Sequence, residues 1–233
     1  MKNLLVFLFS CSCFSQAGSL DATFGANGFG FYCYQVGYNP AVLDVALQSS
    51  GKIISYSHDY TIVAPLLSRW SQNGVLDTSF GINGFVSFSQ TGVFSNGGHY
   101  AYKIAIQPDD KIVIMGSQQN NIFGNAYWVA RLLPDGALDT SFNGTGYKDV
   151  TFGSVQDRAT CIALQADGKI LLGGTSGNTA QFFSVARLNS DGSYDNSFGT
   201  SGRVQISFSG SERFVESMAV QPDGKIVLGG YTV

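Results

Sequence analysis

Short apolar runs separated by glycine-containing turns cover most of the chain. Several runs are apolar without alternation, such as 112–115 (IVIM), 170–172 (ILL) and 226–228 (IVL). A strand with one solvated face alternates apolar and polar residues, so these continuous runs indicate strands that are covered on both faces. The segment 166–168 (ADG) precedes one such run, and Asp followed by Gly favours a tight hairpin turn. The pattern predicts small antiparallel sheets.

Strands and turns recur as a unit with a period of about 56–62 residues. Its landmarks are a turn aspartate, a phenylalanine three residues later and, in three copies, an arginine eight residues before the aspartate: Asp21, Asp77, Asp139 and Asp195; Phe24, Phe80, Phe142 and Phe198; Arg69, Arg131 and Arg187. Residues repeated in register are best explained by structure, because a function rarely needs several identical sites. We expect each arginine to pair with its aspartate and brace the turn, with the phenylalanine buried beneath it.

Sheets stacked face to face around an axis would cover both faces of such strands. The sequence therefore predicts an all-β fold, a β-propeller of four-stranded antiparallel blades, with an open solenoid as the alternative. The units are predicted at roughly 18–34, 41–88, 101–152, 159–208 and 217–233, the first contributing a lone strand at 29–34. The last unit stops two strands into a blade, so we expect the native chain to continue; closure of a four-bladed ring is the alternative.

Three phrases in the repeat carry a family resemblance. QPDGKIVLGG (221–230), VARLNSDGSYDNSFG (185–199) and LDTSFGING (76–84) resemble the bacterial delta-60 repeat, an uncharacterised repeat of the propeller type. The resemblance covers essentially residues 18–233. It implies a propeller fold and an exported protein, and it supplies no catalytic residues.

Residues 1–17 have the plan of a secretory signal peptide, with one lysine, an apolar run at 4–9 and small residues after it,. The run is too short to span a membrane. Cys11 also suggests a lipoprotein signal, which the bulky residue two positions earlier disfavours. After cleavage Cys33 and Cys161 remain, and we expect two buried thiols, with a single disulfide bridge as the alternative.

Charge and motifs argue against several function classes. The 13 basic and 16 acidic residues are spread along the chain without a basic patch, which argues against nucleic-acid binding,. The chain has two histidines and none of the common hydrolase, zinc or phosphate-binding motifs, so we expect no enzyme activity,. We expect no cofactor. Calcium in the oxygen-rich loops is the alternative, with Asn189, Asp191 and Asp195, or Asp135 and Asp139, as ligands.

Departures from the repeat are the places to look for function. Aromatic and histidine side chains near Asn and Gln amides could form a platform for a sugar: Tyr56, His58, Tyr60, His99, Tyr100, Phe123 and Trp128,. Packing of these rings between blades is the alternative. The sequence favours an exported, non-enzymatic module that binds a glycan or a protein partner. A display scaffold for a following domain and a propeller-type polysaccharide hydrolase or lyase are the alternatives.

Overall fold

The computed structural model describes residues 21–25, 41–59, 64–88, 98–120, 124–208, 210 and 213–233. They form fourteen β-strands in four antiparallel sheets, here called blades 1 to 4. Blade 1 contains β1 (Ala41–Leu47), β2 (Ile53–Asp59), β3 (Ala64–Trp70) and β4 (Phe85–Ser87). Blade 2 contains β5 (Gly98–Ile106), β6 (Ile112–Asn120), β7 (Gly124–Leu132) and β8 (Tyr147–Val150). Blade 3 contains β9 (Arg158–Leu164), β10 (Ile170–Gly177), β11 (Gln181–Leu188) and β12 (Arg203–Ile206), and blade 4 contains β13 (Arg213–Val220) and β14 (Ile226–Thr232). Blades 1 to 3 pair their strands in chain order, which confirms the predicted four-stranded antiparallel blade.

Several predictions concern parts of the chain beyond this description. The signal peptide at 1–17, the lone strand at 29–34 and Cys33 lie outside the described residues. Cys161 is a free thiol buried in β9, and burial raises its pKa to about 11. The described part of the chain contains no helix with the length and apolarity needed to cross a membrane.

The hairpin between the first two strands keeps the same backbone when its residues change. In blade 3, Gln165 N donates to Lys169 O at 2.9 Å, and Gly168 has a φ of +82°. In blade 2 that glycine is replaced by Asp110, with a φ of +62°, and Asp is among the few residues that tolerate this region. The Asp110 carboxylate also accepts hydrogen bonds from Ser49 N at 2.6 Å and Ser49 Oγ at 2.5 Å. The substitution therefore links blade 2 to the hairpin of blade 1.

The first strands of consecutive blades contact one another. Each carries a bulge at the same position of the repeat, and a bulge redirects the side chains around it. The residue at the bulge differs in every blade: Leu43, Tyr102, Thr160 and Glu216. Blades 1 and 2 are joined here because Asp44 Oδ2 accepts a hydrogen bond from Ile104 N at 2.9 Å.

The core lies between blades. One buried cluster contains Ile54 of blade 1 and Ile114 of blade 2, and a second contains Val113 of blade 2 and Leu172 of blade 3. Val113 and Ile114 are adjacent in β6 yet belong to different clusters, because successive side chains point to opposite faces of a strand. Both faces of β6 and β10 are therefore covered, and this explains why these two strands are apolar without alternation. The apolar run at 226–228 departs from this prediction, because Val227 of β14 is 47% exposed.

Candidate functional site

The repeated arginine, aspartate and phenylalanine form a brace within each turn. In blade 2, Arg131 Nε donates to Asp139 Oδ2 at 2.8 Å, and the guanidinium carbon lies 4.9 Å from the centroid of the Phe142 ring. Ser141 donates to Asp139 Oδ1 from its N at 3.1 Å and from its Oγ at 2.5 Å. These contacts direct both oxygen atoms of the carboxylate into the turn.

The same brace recurs in blades 1 and 3. Arg69 Nε lies 2.8 Å from Asp77 Oδ2, and Arg187 Nε lies 2.8 Å from Asp195 Oδ2. In all three blades the arginine thus contacts the aspartate eight residues later in its own turn. One part of the prediction is wrong: Phe198 is only half-buried, whereas Phe80 and Phe142 are fully buried. Phe142 is covered by Gly192 in the turn of the next blade, and Phe198 has no such turn over it among the described residues.

Several polar atoms of the suggested calcium loop take part in hydrogen bonds within the turn. Asp191 Oδ1 accepts hydrogen bonds from Ser193 N at 2.8 Å and Ser193 Oγ at 2.6 Å, and Asn189 Nδ2 donates to Ser193 Oγ at 2.9 Å. Asp195 is held by its arginine. The described ranges contain no group of three or more His, Cys, Asp or Glu side chains arranged to hold a metal ion.

Two of the predicted ligand-binding residues belong to the core. Tyr56 and Trp128 are fully buried in the cluster between blades 1 and 2, and the Trp128 ring lies 6.1 Å from the ring of Phe88. A fully buried ring offers no face to a ligand, so a binding role for these two residues is corrected to packing between blades.

The remaining candidates are placed only by their backbone or not at all. His58 pairs with Ala41 in blade 1, and His99 and Tyr100 pair with Gln118 and Ser117 in blade 2. Tyr60 and Phe123 lie outside the described residues. Ligand binding by these five side chains stays a prediction.

A groove of about 510 Å³ lies where blade 2 meets blade 3. One wall is formed by residues 151–153, which follow β8. The opposite wall comes from the last turn and the last strand of blade 3: Thr200, Ser201, Arg203 and Gln205. Arg203 Nη1 donates to Thr151 O at 2.6 Å and so joins the two walls. Gln205 Nε2 donates to Ser176 Oγ at 2.7 Å, which fixes the side-chain amide.

Two cations contact the Tyr194 ring beside this groove. The guanidinium carbon of Arg203 lies 4.8 Å from the ring centroid, and Lys148 Nζ lies 4.6 Å from it. Lys148 Nζ also donates to Asn143 Oδ1 at 3.1 Å. Burial lowers the pKa of Lys148; the Asp191 carboxylate opposes this shift, and the charge of Arg203 adds to it. The two positive charges are therefore close enough to repel each other.

A buried carboxylate fixes the wall from blade 2. Asp157 is fully buried, and it accepts hydrogen bonds from Phe152 N at 2.8 Å and from Ser154 Oγ. Ser154 Oγ in turn accepts a hydrogen bond from Gly177 N of β10 at 2.9 Å. Burial raises the pKa of Asp157, while hydrogen bonds from Phe152, Ser154 and Gly177 oppose that shift. The Phe152 ring lies 5.1 Å from that of Tyr127, and this contact holds it at the groove.

Sequence reasoning missed the groove, although the repeat contains a signal for it. The position eight residues after the turn aspartate is aromatic in three copies, as Phe29, Phe85 and Tyr147, and it is Arg203 in the fourth. A comparison of the copies position by position would have identified this cation as a departure from the repeat.

Comparison with known proteins agrees with the sheet architecture. Residues 107–142, 165–198 and 221–233, about a third of the chain, match a family model described as a domain of unknown function (DUF5122) of the β-propeller type. The chain is a β-propeller repeat protein. The comparison with curated proteins found no match.

The chain is also similar to several solved structures. One is 1,3Gal43A, an exo-β-1,3-galactanase from Clostridium thermocellum, with 16% identity over 83% of this propeller and 42% of that chain and a TM-score of 0.47. Another is a GH43 β-1,3-galactosidase with galactodeoxynojirimycin, with 11% identity and a TM-score of 0.44; the match covers 80% of this propeller and 65% of that chain. A third is a glucose dehydrogenase, with 14% identity and a TM-score of 0.37; the match covers 86% of this propeller and 81% of that chain. This propeller thus spans less than two thirds of the length of the first two.

Proposed function

We propose that this propeller is an exported, non-enzymatic module that binds a small hydroxylated ligand, such as a sugar, in the groove between blades 2 and 3. The observation that supports it is the groove itself, which has about the volume of a small-molecule site and is built at a departure from the repeat,.

The lining of the groove suits a sugar. Phe152 offers an aromatic face, and the hydroxyl groups of Thr151, Thr200 and Ser201 and the amide of Gln205 offer donors and acceptors. Sugars are bound by this combination, because their C–H faces pack on rings while their hydroxyl groups exchange hydrogen bonds with polar side chains.

The same lining favours binding over catalysis. The residues that line the groove include no carboxylate, imidazole or thiol, so they lack the usual general bases and the strong nucleophiles. Asp157, the buried carboxylate behind the wall, accepts hydrogen bonds from Phe152 and Ser154 and is fully buried. Its role is to hold the wall in place.

The binding site is tested by filling the groove. Isothermal titration of the purified protein with glucose, galactose, glucuronate and galacturonate should detect millimolar binding of at least one sugar. Thr200→Trp should abolish it by occupying the groove. Ile82→Trp is the matched control, because Ile82 N and Thr200 N donate to the equivalent carbonyl groups of Phe85 and Arg203, each at 2.8 Å. Absence of binding by any of the four sugars, or normal binding by Thr200→Trp, would contradict the proposal.

Export is tested separately through residues 1–17. Fused to alkaline phosphatase, which is active only after export, this segment should produce activity outside the cytoplasm. Replacing Leu5 and Val6 by Arg interrupts the apolar run and should abolish that activity. Phosphatase retained in the cytoplasm with the native segment would contradict export.

A further inference from the structure

We infer that the ligand of the groove carries a carboxylate, which makes an acidic sugar such as a hexuronate its chemical class. This inference rests on the proposed function and adds to it the charge of the ligand. Its basis is Arg203, which lines the groove and contacts the same Tyr194 ring as Lys148.

Arg203 differs from the arginines of the turn braces in its partners. Arg69, Arg131 and Arg187 each form an ion pair with an aspartate at 2.8 Å. In the described part of the chain, the Arg203 guanidinium has no carboxylate within 4.0 Å, and the only hydrogen bond of the side chain goes from Nη1 to Thr151 O. A guanidinium has five N–H groups, so most of its donors face no protein acceptor among the described residues.

The orientation of Arg203 suits a carboxylate. Its contact with the Tyr194 ring and its hydrogen bond to Thr151 O hold the plane of the guanidinium in one orientation. A fixed guanidinium plane presents two parallel N–H groups, which match the two oxygen atoms of a carboxylate. A lysine at this position would offer a point charge without that geometry.

Lys148 adds a second reason for an anion. It lies on the same Tyr194 ring as Arg203, and the two charges repel each other. An anionic ligand beside Arg203 would reduce this repulsion, and a neutral ligand would not. The Asp191 and Asp149 carboxylates act electrostatically on Lys148, and in the described part of the chain neither of them forms an ion pair with Arg203.

The repeat provides independent support. The position of Arg203 is occupied by Phe85 in blade 1 and Tyr147 in blade 2, and both of these residues lie in the last strand of their blade. The fold at this position therefore accepts an aromatic residue. The cation occurs only in the blade whose last strand lines the groove, which favours a role in binding over a role in folding.

The test compares acidic with neutral sugars on the same protein. Galacturonate and glucuronate should bind at least about tenfold more tightly than galactose and glucose, the effect of one bidentate carboxylate contact. Arg203→Gln keeps a donor for Thr151 O and should reduce this preference to about twofold or less. Lys148→Gln should reduce it to a smaller extent. Arg158→Gln, which changes an exposed arginine on β9, is the matched control and should preserve the preference. Raising sodium chloride should weaken binding of the acids and not that of the neutral sugars.

The outcomes separate this inference from the proposed function. Equal affinities for acidic and neutral sugars, or an unchanged preference in both Arg203→Gln and Lys148→Gln, would contradict the inference that the ligand carries a carboxylate. Sugar binding in the groove would still stand. Failure of all four sugars to bind would overturn the proposed function, and the inference with it.

Discussion

The brace of blade 2 and the brace of blade 3 have the same chemistry and different surroundings. Arg131 and Arg187 both bind the aspartate of their own turn at 2.8 Å. Arg131 Nη1 also donates to Ser190 O in the turn of blade 3, while Arg187 has no such bond to another blade in the described ranges. The Arg131 side chain is 6% exposed and that of Arg187 is 19% exposed.

This difference shows that the brace has two separable parts. One part shapes the turn, and it is the same in both blades. The other part joins blades, and blade 1 has it too, because Arg69 Nη1 donates to Pro134 O in blade 2 at 2.6 Å. The repeated motif therefore both forms a turn and provides the surface on which the next blade packs.

The largest expected difference concerns the phenylalanines. Phe142→Ala should lower the free energy of unfolding by about 3–5 kcal/mol, because it leaves a cavity beneath Gly192 of blade 3,. Phe198→Ala should cost less than half as much, since Phe198 is already half-exposed. Urea denaturation of both variants measures the two costs. Equal costs would show that the contact between Phe142 and the turn of blade 3 adds nothing to the free energy of unfolding.

The arginines should show the next largest difference. Arg131→Met keeps most of the apolar side chain and removes the guanidinium, which leaves the buried Asp139 carboxylate and Ser190 O without that donor. Breaking a buried pair in this way costs about 3 kcal/mol. Arg187→Met should cost clearly less, because its pair is more exposed and joins no second blade. The same denaturation measurement applies, and a larger loss for Arg187→Met would contradict an interblade role for Arg131.

The fold could be predicted from the sequence further than the site could. The brace was predictable because its residues recur eight and three positions apart, so that local geometry fixes them. The core strands were predictable because apolar runs indicate coverage on both faces. For Tyr56 and Trp128 the sequence offered both ligand binding and packing between blades and could not decide between them, because a single aromatic residue in a strand does not show whether its face meets another blade.

The groove could not be predicted from the sequence, for a different reason. Its walls come from residues 151–153 and from Thr200 to Gln205, in different blades, and only the packing of one blade on the next brings them together. The substitution of Arg203 for an aromatic residue indicates the position of one wall and does not show its neighbour.

Acid should weaken the braces. Burial raises the pKa of Asp139, but hydrogen bonds from Ser141 and the charge of Arg131 outweigh it and hold the pKa below its usual value. A carboxyl with a lowered pKa in the folded state adds stability above its unfolded value of about 4, and this stability is lost as the pH falls. Melting temperatures measured from pH 7 to pH 3 should therefore fall.

Asp139→Asn provides the control for this pH dependence. The variant should be less stable than the native protein at pH 7, and its melting temperature should fall less on acidification, so that the two curves approach each other near pH 3. Asp135→Asn, which changes an exposed turn residue, should follow the native curve. Parallel curves for Asp139→Asn and the native protein would rule out this carboxylate as a source of acid sensitivity.

The smallest effect tests whether the two parts of the brace are separable. Ser141 Oγ and Ser197 Oγ donate to the turn aspartates at 2.5 and 2.6 Å, and each accepts a bond from arginine Nη2, at 3.2 and 3.3 Å. Both serines act within one turn and contact no other blade through these bonds. Ser141→Ala should therefore cost about 0.5–1 kcal/mol, and Ser197→Ala should cost the same within error. A clearly larger cost for Ser141→Ala would mean that the shape of the turn and the packing of the next blade are coupled. The difference in stability between the Arg131 and Arg187 variants would then come from the turn as well as from the contact between blades.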